Sequence, residues 1–212
     1  MKSHEELAVI DVSPKKVQCF YRSSYPKICY EIEHKKPKTL GENFMLGVKN
    51  TDSKYLVRID GDDSWDCTYD GKYALEMLDH HNEYKAVYPF YRLFKITPPK
   101  PRPDKSLGTI EGCQTVNIIN SPQGAGIVYD REAFMSVGGY DKTLQYQADL
   151  DFYIRFRSQY LMGIYPSIYW WRLGDNQSIT HKDKLLAQRK KILHKYDLEE
   201  YNIPHFGAYA YV

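Results

Sequence analysis

The chain has 212 residues, enough for one domain with a substantial core or at most two small ones. Charged residues make up 26% and hydrophobic residues 42%, ordinary globular values that exclude a mostly disordered chain. The 29 basic and 27 acidic residues leave a net charge of +2, too balanced to argue for a nucleic-acid partner. No apolar run approaches the roughly 20 residues of a membrane span; the longest, Ile164–Trp171, is broken by Tyr, Pro and Ser. The opening MKSHEELAVID shows no secretory signal. Cys19, Cys29, Cys67 and Cys113 have no CxxC spacing, so we read them as buried free thiols. That suits a reducing compartment, and a cytoplasmic location is expected.

In chain order, Leu7–Asp11 reads as a short buried strand ending in a carboxylate, and Val17–Tyr21 and Ile28–Ile32 are strand-like. Leu40–Val48 reads as a helix, Tyr55–Ile59 as a strand, Tyr69–His80 as a helix and Ala86–Ile96 as a strand. Thr97–Asp104, with four prolines in eight residues, can be neither helix nor central strand and is read as a loop. Beyond it, Thr115–Ile119 and Ile127–Tyr129 are strand candidates and Arg131–Val137 a short helix stopped by Gly138-Gly139. Asp149–Tyr160 reads as a helix and Ile164–Trp171 as a strand. Asp183–Tyr196 reads as a helix with Leu185, Leu186, Ile192 and Leu193 on one face and Arg189 among the basic residues around the other. A core-docked surface helix is the expected reading, with contact to a membrane surface as its rival. This alternation predicts an α/β fold in one domain over 1–212. Its halves are about 1–97 and about 105–212.

The most informative segment is Tyr55–Asp66, YLVRIDGDDSWD. A hydrophobic strand delivers Asp60, Asp62 and Asp63 at its carboxyl end, where ligands collect in α/β sheets. Three carboxylates within four residues repel one another unless a cation sits among them, and hard oxygen ligands suit Mg²⁺ or Mn²⁺. A calcium loop of the EF-hand type fails on spacing: with Asp60 first, the required Gly is Trp65 and the required Glu is Gly71. The competing reading is a solvated acidic turn capping the next helix. Arg58, in the strand before the turn, either faces a phosphate or pairs with a nearby Asp. In the second half, Gly124 and Gly126 lead through Arg131-Glu132-Ala133-Phe134 to Gly138-Gly139-Tyr140-Asp141. Then comes Asp149, where a helix should begin and a cap is expected, with Asp151 and Arg155 spaced to pair along that helix. Trp170 and Trp171, adjacent in a strand, point to opposite faces; one is core and the other is free to stack on a sugar.

Together these residues resemble the GT-A fold glycosyltransferases, in particular the family-2-like group of nucleotide-diphospho-sugar transferases. The match runs from about Gly41 to Ser178. The resemblance implies a Rossmann-like mixed sheet with helices on both faces. It implies a metal-dependent transfer of a sugar from a nucleoside diphosphate sugar, UDP favoured, to a glycan or glycoprotein hydroxyl. On it, Asp62 of the DxD motif binds the cation, Asp60 contacts the ribose or the metal, and Asp149 is the base. Asp11, with Ser13, is assigned to the nucleotide base, and Arg58, Gly126 and Trp171 to the nucleotide sugar. His181 is assigned as a metal ligand, because Gly174 stands where many members carry His. Ala148 stands where the family has Glu before its catalytic Asp, and Phe44 and Met45 replace a frequent Arg and Asn. If Asp11 ends the family's second strand, its first is missing. Either Leu7–Asp11 is that first strand, or the domain is shortened or a piece of a longer protein. The alternatives to catalysis by transfer are a non-catalytic nucleotide-sugar or glycan-binding module and, further off, a sugar-nucleotidyltransferase.

Overall fold

A computed structural model of the chain describes residues 6–11, 28–33, 39–60, 63, 70–96, 110–116, 124–172 and 182–198. The expected strand Val17–Tyr21, the proline-rich Thr97–Asp104 and the candidates Ser13, Asp62 and His181 lie outside them.

Strands β1 (Glu6–Asp11) and β2 (Ile28–Glu33) pair in parallel, with Asp11 opposite Glu33. The larger sheet has five strands: β3 (Tyr55–Val57), β4 (Tyr84–Ile96), β5 (Ile110–Val116), β6 (Val128–Asp130) and β7 (Leu161–Arg172). Strand β4 is its spine. Along one edge β4 pairs antiparallel first with β6, through Ala86 and Val87, and then with β5, from Tyr91 onward. It pairs in parallel with β7, and β3 runs antiparallel to β6. Pro89 explains the break in this pattern. It has no N–H to give a ladder, and it sits in the gap between the two antiparallel partners. The register against β7 shifts there too, between Tyr88 and Phe90.

Five helices are described: α1 (Leu40–Lys49), α2 (Asp70–His80), α3 (Arg131–Ser136), α4 (Ala148–Arg157) and α5 (Lys182–Lys195). Helix α1 begins with a capping box: the Glu42 N–H donates to Thr39 Oγ1 at 3.0 Å, and the Thr39 N–H to Glu42 Oε2 at 3.0 Å. Asp130 caps α3 by accepting from the Ala133 N–H at 2.9 Å. Arg131 then reaches back to the carbonyls of Ser53 (2.5 Å) and Val48 (2.9 Å) and to Thr51 Oγ1 (2.9 Å), tying α3 to the chain leaving α1.

Alternation along the strands divides the core. Ala86, Tyr88 and Tyr129 join Met45, Val48, Phe134, Phe152 and Phe156 on the face covered by α1, α3 and α4. Val87 and Val128 join Ala74, Leu78 and Tyr165 on the face covered by α2. Helices therefore cover both faces of a mixed sheet, as expected. Phe44 and Met45, two of the family departures, are explained by packing. The Phe44 ring meets Phe134 and Tyr140, and Met45 is buried against Gly139.

Two expectations need correction. The strand expected from Thr115 already runs over Ile110–Val116, because pairing with Tyr91–Ile96 draws in Ile110–Gln114 despite Glu111 and Gly112; residues 117–119 of the expected strand lie outside the described residues. Arg189 is not on the outer face of α5; it is buried together with Ile192 and Leu193, whereas Leu185 and Leu186 are only half-buried. Helix α5 docks on α4 through its C-terminal end. Lys195 Nζ and Tyr196 Oη donate to Asp151 Oδ1 at 2.9 and 2.8 Å. No described helix is long and apolar enough to cross a membrane.

Candidate functional site

The site forms where the chain leaves β3. After Val57 it runs through Arg58, Ile59 and Asp60 into the acidic turn, and the Asp63 N–H donates to the Asp60 carbonyl at 3.1 Å. Beside it lies Gly124–Gly126, joined by the Gly126 N–H donating to the Arg58 carbonyl at 2.8 Å. Tyrosine hydroxyls from the sheet hold this segment from beneath: Tyr91 donates to the Ala125 carbonyl (2.5 Å) and Tyr165 to that of Gly126 (3.1 Å). Gly126 has φ +77°, and a side chain there would meet the Tyr169 ring at 2.5 Å. Only glycine fits both conditions without strain.

Arg58 is the hub. Its side chain is only 10% exposed; Nη2 donates to Asp60 Oδ2 at 3.1 Å, and Nε lies 3.0 Å from Oδ1 as a charge contact without hydrogen-bond geometry. Of the two readings of Arg58, the ion pair with a nearby Asp is the one present. Burial by itself would lower the guanidinium's proton affinity, but Asp60 first, and then Tyr140, Asp149 and Tyr169, together more than offset this and keep it charged. Nη1 is buried and makes no hydrogen bond among the described residues. It points to the place where a side chain on Gly124 would sit, 2.9 Å from that point. Tyr140 Oη is 2.6 Å and Asp149 Cβ 2.9 Å from the same point.

Asp149 is thereby brought to the acidic turn from a distant part of the chain. The helix begins one residue earlier than expected, and Asp149 is not its cap. Gln147 takes that place in a left-handed conformation (φ 58°), without a side-chain cap bond, and Ala148 opens the helix fully buried. Asp149 instead accepts from the N–H of Leu150 (3.0 Å) and from that of Gly124. Burial raises its pKa above the ordinary carboxylate range, and Arg58 only partly opposes this. Its helix is held in place further along by Asp151, which is 1% exposed. Asp151 takes Arg155 (Nε 2.9 Å, Nη2 2.8 Å) as expected, and also Lys195 and Tyr196. Arg155 then donates to the carbonyls of Val137 and Gly139, fastening the double-glycine turn to α4.

The structure thus brings together Arg58, Asp60, Gly126 and Asp149. The backbone of Asp11 ends β1 and that of Trp171 lies in β7, while their side chains are outside what is described, as are Ser13, Asp62 and His181 altogether. Sequence reasoning missed Tyr169. Its hydroxyl accepts the Asp60 N–H at 3.2 Å and donates to Asp63 Oδ2 at 2.7 Å. No local pattern announces a contact across more than a hundred residues. In the described part of the turn, Arg58 pairs with Asp60 and Tyr169 donates to Asp63 Oδ2. No group of three His, Cys, Asp or Glu able to hold a metal occurs among the described residues. Asp60 is the one proposed metal ligand that is described. As a carboxylate at a strand end with 36% of its side chain exposed, it fits that role.

No protein-family model matches the sequence, and no curated protein sequence matches it. Solved structures do. S. aureus TarS 1–349 in complex with UDP-GlcNAc is similar with a TM-score of 0.53 and 12% identity, covering 82% of this chain and 52% of that one. Two further TarS structures align with TM-scores of 0.49 and 0.48, at 12% and 13% identity; each covers 79% of this chain, and 34% and 55% of their own. The chain spans about half the length of the first of these structures. At this identity the likeness shows a shared fold: the chain has the mixed α/β architecture of TarS.

Proposed function

We propose that the chain is a GT-A type glycosyltransferase that moves a sugar from a nucleoside diphosphate sugar, a UDP-sugar, to a hydroxyl of a glycan or glycoprotein. The observation that carries this reading is the meeting of Asp60, at the end of β3, with Asp149, at the start of α4, around one buried arginine. The fold supports it too, since TarS shares that fold and its solved complex contains UDP-GlcNAc.

In this reading the acidic turn receives the donor's diphosphate and Asp149 faces the acceptor. The raised pKa of Asp149 suits a base, because a carboxylate in protein surroundings takes a hydroxyl proton more readily than one in water. Arg58 keeps Asp60 oriented by a hydrogen bond from Nη2 and a close charge contact from Nε, and the missing side chain of Gly124 lets Arg58, Tyr140 and Asp149 converge. A divalent cation, Mn²⁺ or Mg²⁺, belongs to the proposal. Asp62 of the DxD motif and Asp60 would hold it, with His181 as a third ligand. When bound it would neutralise charge on the leaving diphosphate. Asp11, Ser13 and Trp171 are proposed for the nucleotide base and the sugar, and the location is proposed to be cytoplasmic.

The test is Asp149→Asn assayed for donor binding and for transfer. The reading requires donor affinity within a few-fold of wild type and turnover lower by about 10²–10⁴-fold, the usual contribution of a placed base. Undiminished transfer in the variant would remove Asp149 from the mechanism.

A further inference from the structure

We infer that Tyr169 is a positioning residue that closes the acidic turn before any donor arrives. Among the described residues, Asp60 and Asp63 are joined by one direct hydrogen bond and by a two-bond bridge. The direct bond is backbone to backbone at 3.1 Å, and the bridge passes through the single Tyr169 oxygen, which accepts from the Asp60 N–H and donates to the Asp63 carboxylate. The phenol that makes them is itself immobile. It is fully buried, its ring presses on Gly126, and its centroid lies 5.6 Å from that of Tyr91. Strand β7 therefore transmits its position to the turn through one side chain. Burial, and then the charge of Asp63, hold the hydroxyl in its protonated, donating form.

The consequence is electrostatic as well as geometric. Asp63 is committed to Tyr169 and Asp60 to Arg58, so two of the turn's three carboxylates are oriented by the protein itself. Asp60 and Asp63, held in this way, lose little order when the donor binds, which favours affinity. That part rests on the nucleotide-sugar reading of the site; the closing of the turn does not.

The experiment is amide hydrogen exchange of the ligand-free protein, followed by UDP-GlcNAc titration, in wild type and Tyr169→Phe. Phenylalanine keeps the ring against Gly126 and removes only the hydroxyl. The Asp60 amide should exchange about tenfold faster, the size expected for the loss of one net hydrogen bond. Ile192→Val, in the distant core of α5, serves as a control for general loss of stability and should leave that amide unchanged. Asp63→Ala removes the other partner, and combining it with Tyr169→Phe should add little to the effect of either alone. If wild type binds UDP-GlcNAc, Tyr169→Phe should bind it about tenfold more weakly. Unchanged exchange at Asp60 in Tyr169→Phe, or an equal rise in Ile192→Val, would overturn the positioning role. Faster exchange in Tyr169→Phe, with no nucleotide sugar bound by wild type, would sustain that role and sink the donor reading alone.

Discussion

Replacing Gly126 by alanine combines two separable penalties, and Gly138 isolates one of them. Both glycines have positive φ, +77° and +89°, a region that costs an L-residue about 1–2 kcal/mol. At Gly138 an added Cβ meets nothing closer than Arg155 Nη1 at 3.7 Å, so Gly138→Ala carries only that conformational cost. At Gly126 the Cβ would lie 2.5 Å from Cδ2 and 2.9 Å from Cγ of Tyr169, a fully buried ring that also packs beside Tyr91. Overpacking of this kind adds about 1–3 kcal/mol, for a total of about 2–5 kcal/mol. In a domain of this size each kcal/mol moves Tm by about 2–4 °C. Scanning calorimetry should find Gly138→Ala lowered by roughly 2–8 °C and Gly126→Ala by roughly 4–20 °C. Nucleotide-sugar binding should weaken in Gly126→Ala only, because the displaced ring carries its hydroxyl away from Asp60 and Asp63. Equal losses of Tm in the two variants would refute the account of Tyr169 as a fixed wall.

Asp151→Ala leaves Arg155 and Lys195 without their shared carboxylate; breaking a buried ion pair costs about 3–5 kcal/mol, and the half-exposed Lys195 places this case near the low end. Although burial acts the other way, hydrogen bonds from Lys195, Tyr196 and Arg155 lower the folded-state pKa of Asp151 below its unfolded value. Its contribution is therefore complete above the ordinary carboxylate pKa and fades as pH falls below it; acid-titrated Tm curves of wild type and Asp151→Asn should converge only at low pH. Asp149 is the opposite case: a raised folded pKa means stability declines as pH rises through that value, so Asp149→Asn should melt above wild type at neutral pH while losing transfer. Arg58→Lys keeps the charge but not the paired Nη2 and Nε contacts with Asp60, and donor affinity measured by calorimetry should fall about tenfold, with no rescue from lowering the salt.

What the sequence revealed follows from range. The helices over α1, α2 and α4 carry local signals, and so does the double-glycine stop after α3. The Thr39–Glu42 box at the start of α1 stands in the sequence as T-x-x-E, although the helix was read from Leu40 without it. Asp60 and Asp149 stood out as candidates because one ends a strand and the other begins a helix, and the structure places both beside Arg58. The early part of β5, Ile110–Gln114, was not legible, since pairing with β4 rather than its own residues brings it into the sheet. Nor was the burial of Arg189, whose charge suggested an outer face. The partner of Arg58 was left open between a phosphate and an Asp, because charge alone does not tell which anion lies nearest. Tyr169 is the fullest case: the chain contains 20 tyrosines, and only the closing of β7 onto β4 selects the one that reaches the acidic turn.

The central claim, that the acidic turn receives a nucleoside diphosphate sugar, is tested most directly by thermal shift against nucleoside diphosphates and their sugars, with and without Mn²⁺. A ligand at a hundred times its Kd stabilises by about 2.7 kcal/mol, which is roughly 5–10 °C here. The account predicts a shift of that size for one UDP-sugar, dependent on Mn²⁺ and lost in Asp62→Ala. No shift with any nucleotide, or a shift that survives Asp62→Ala, would contradict it.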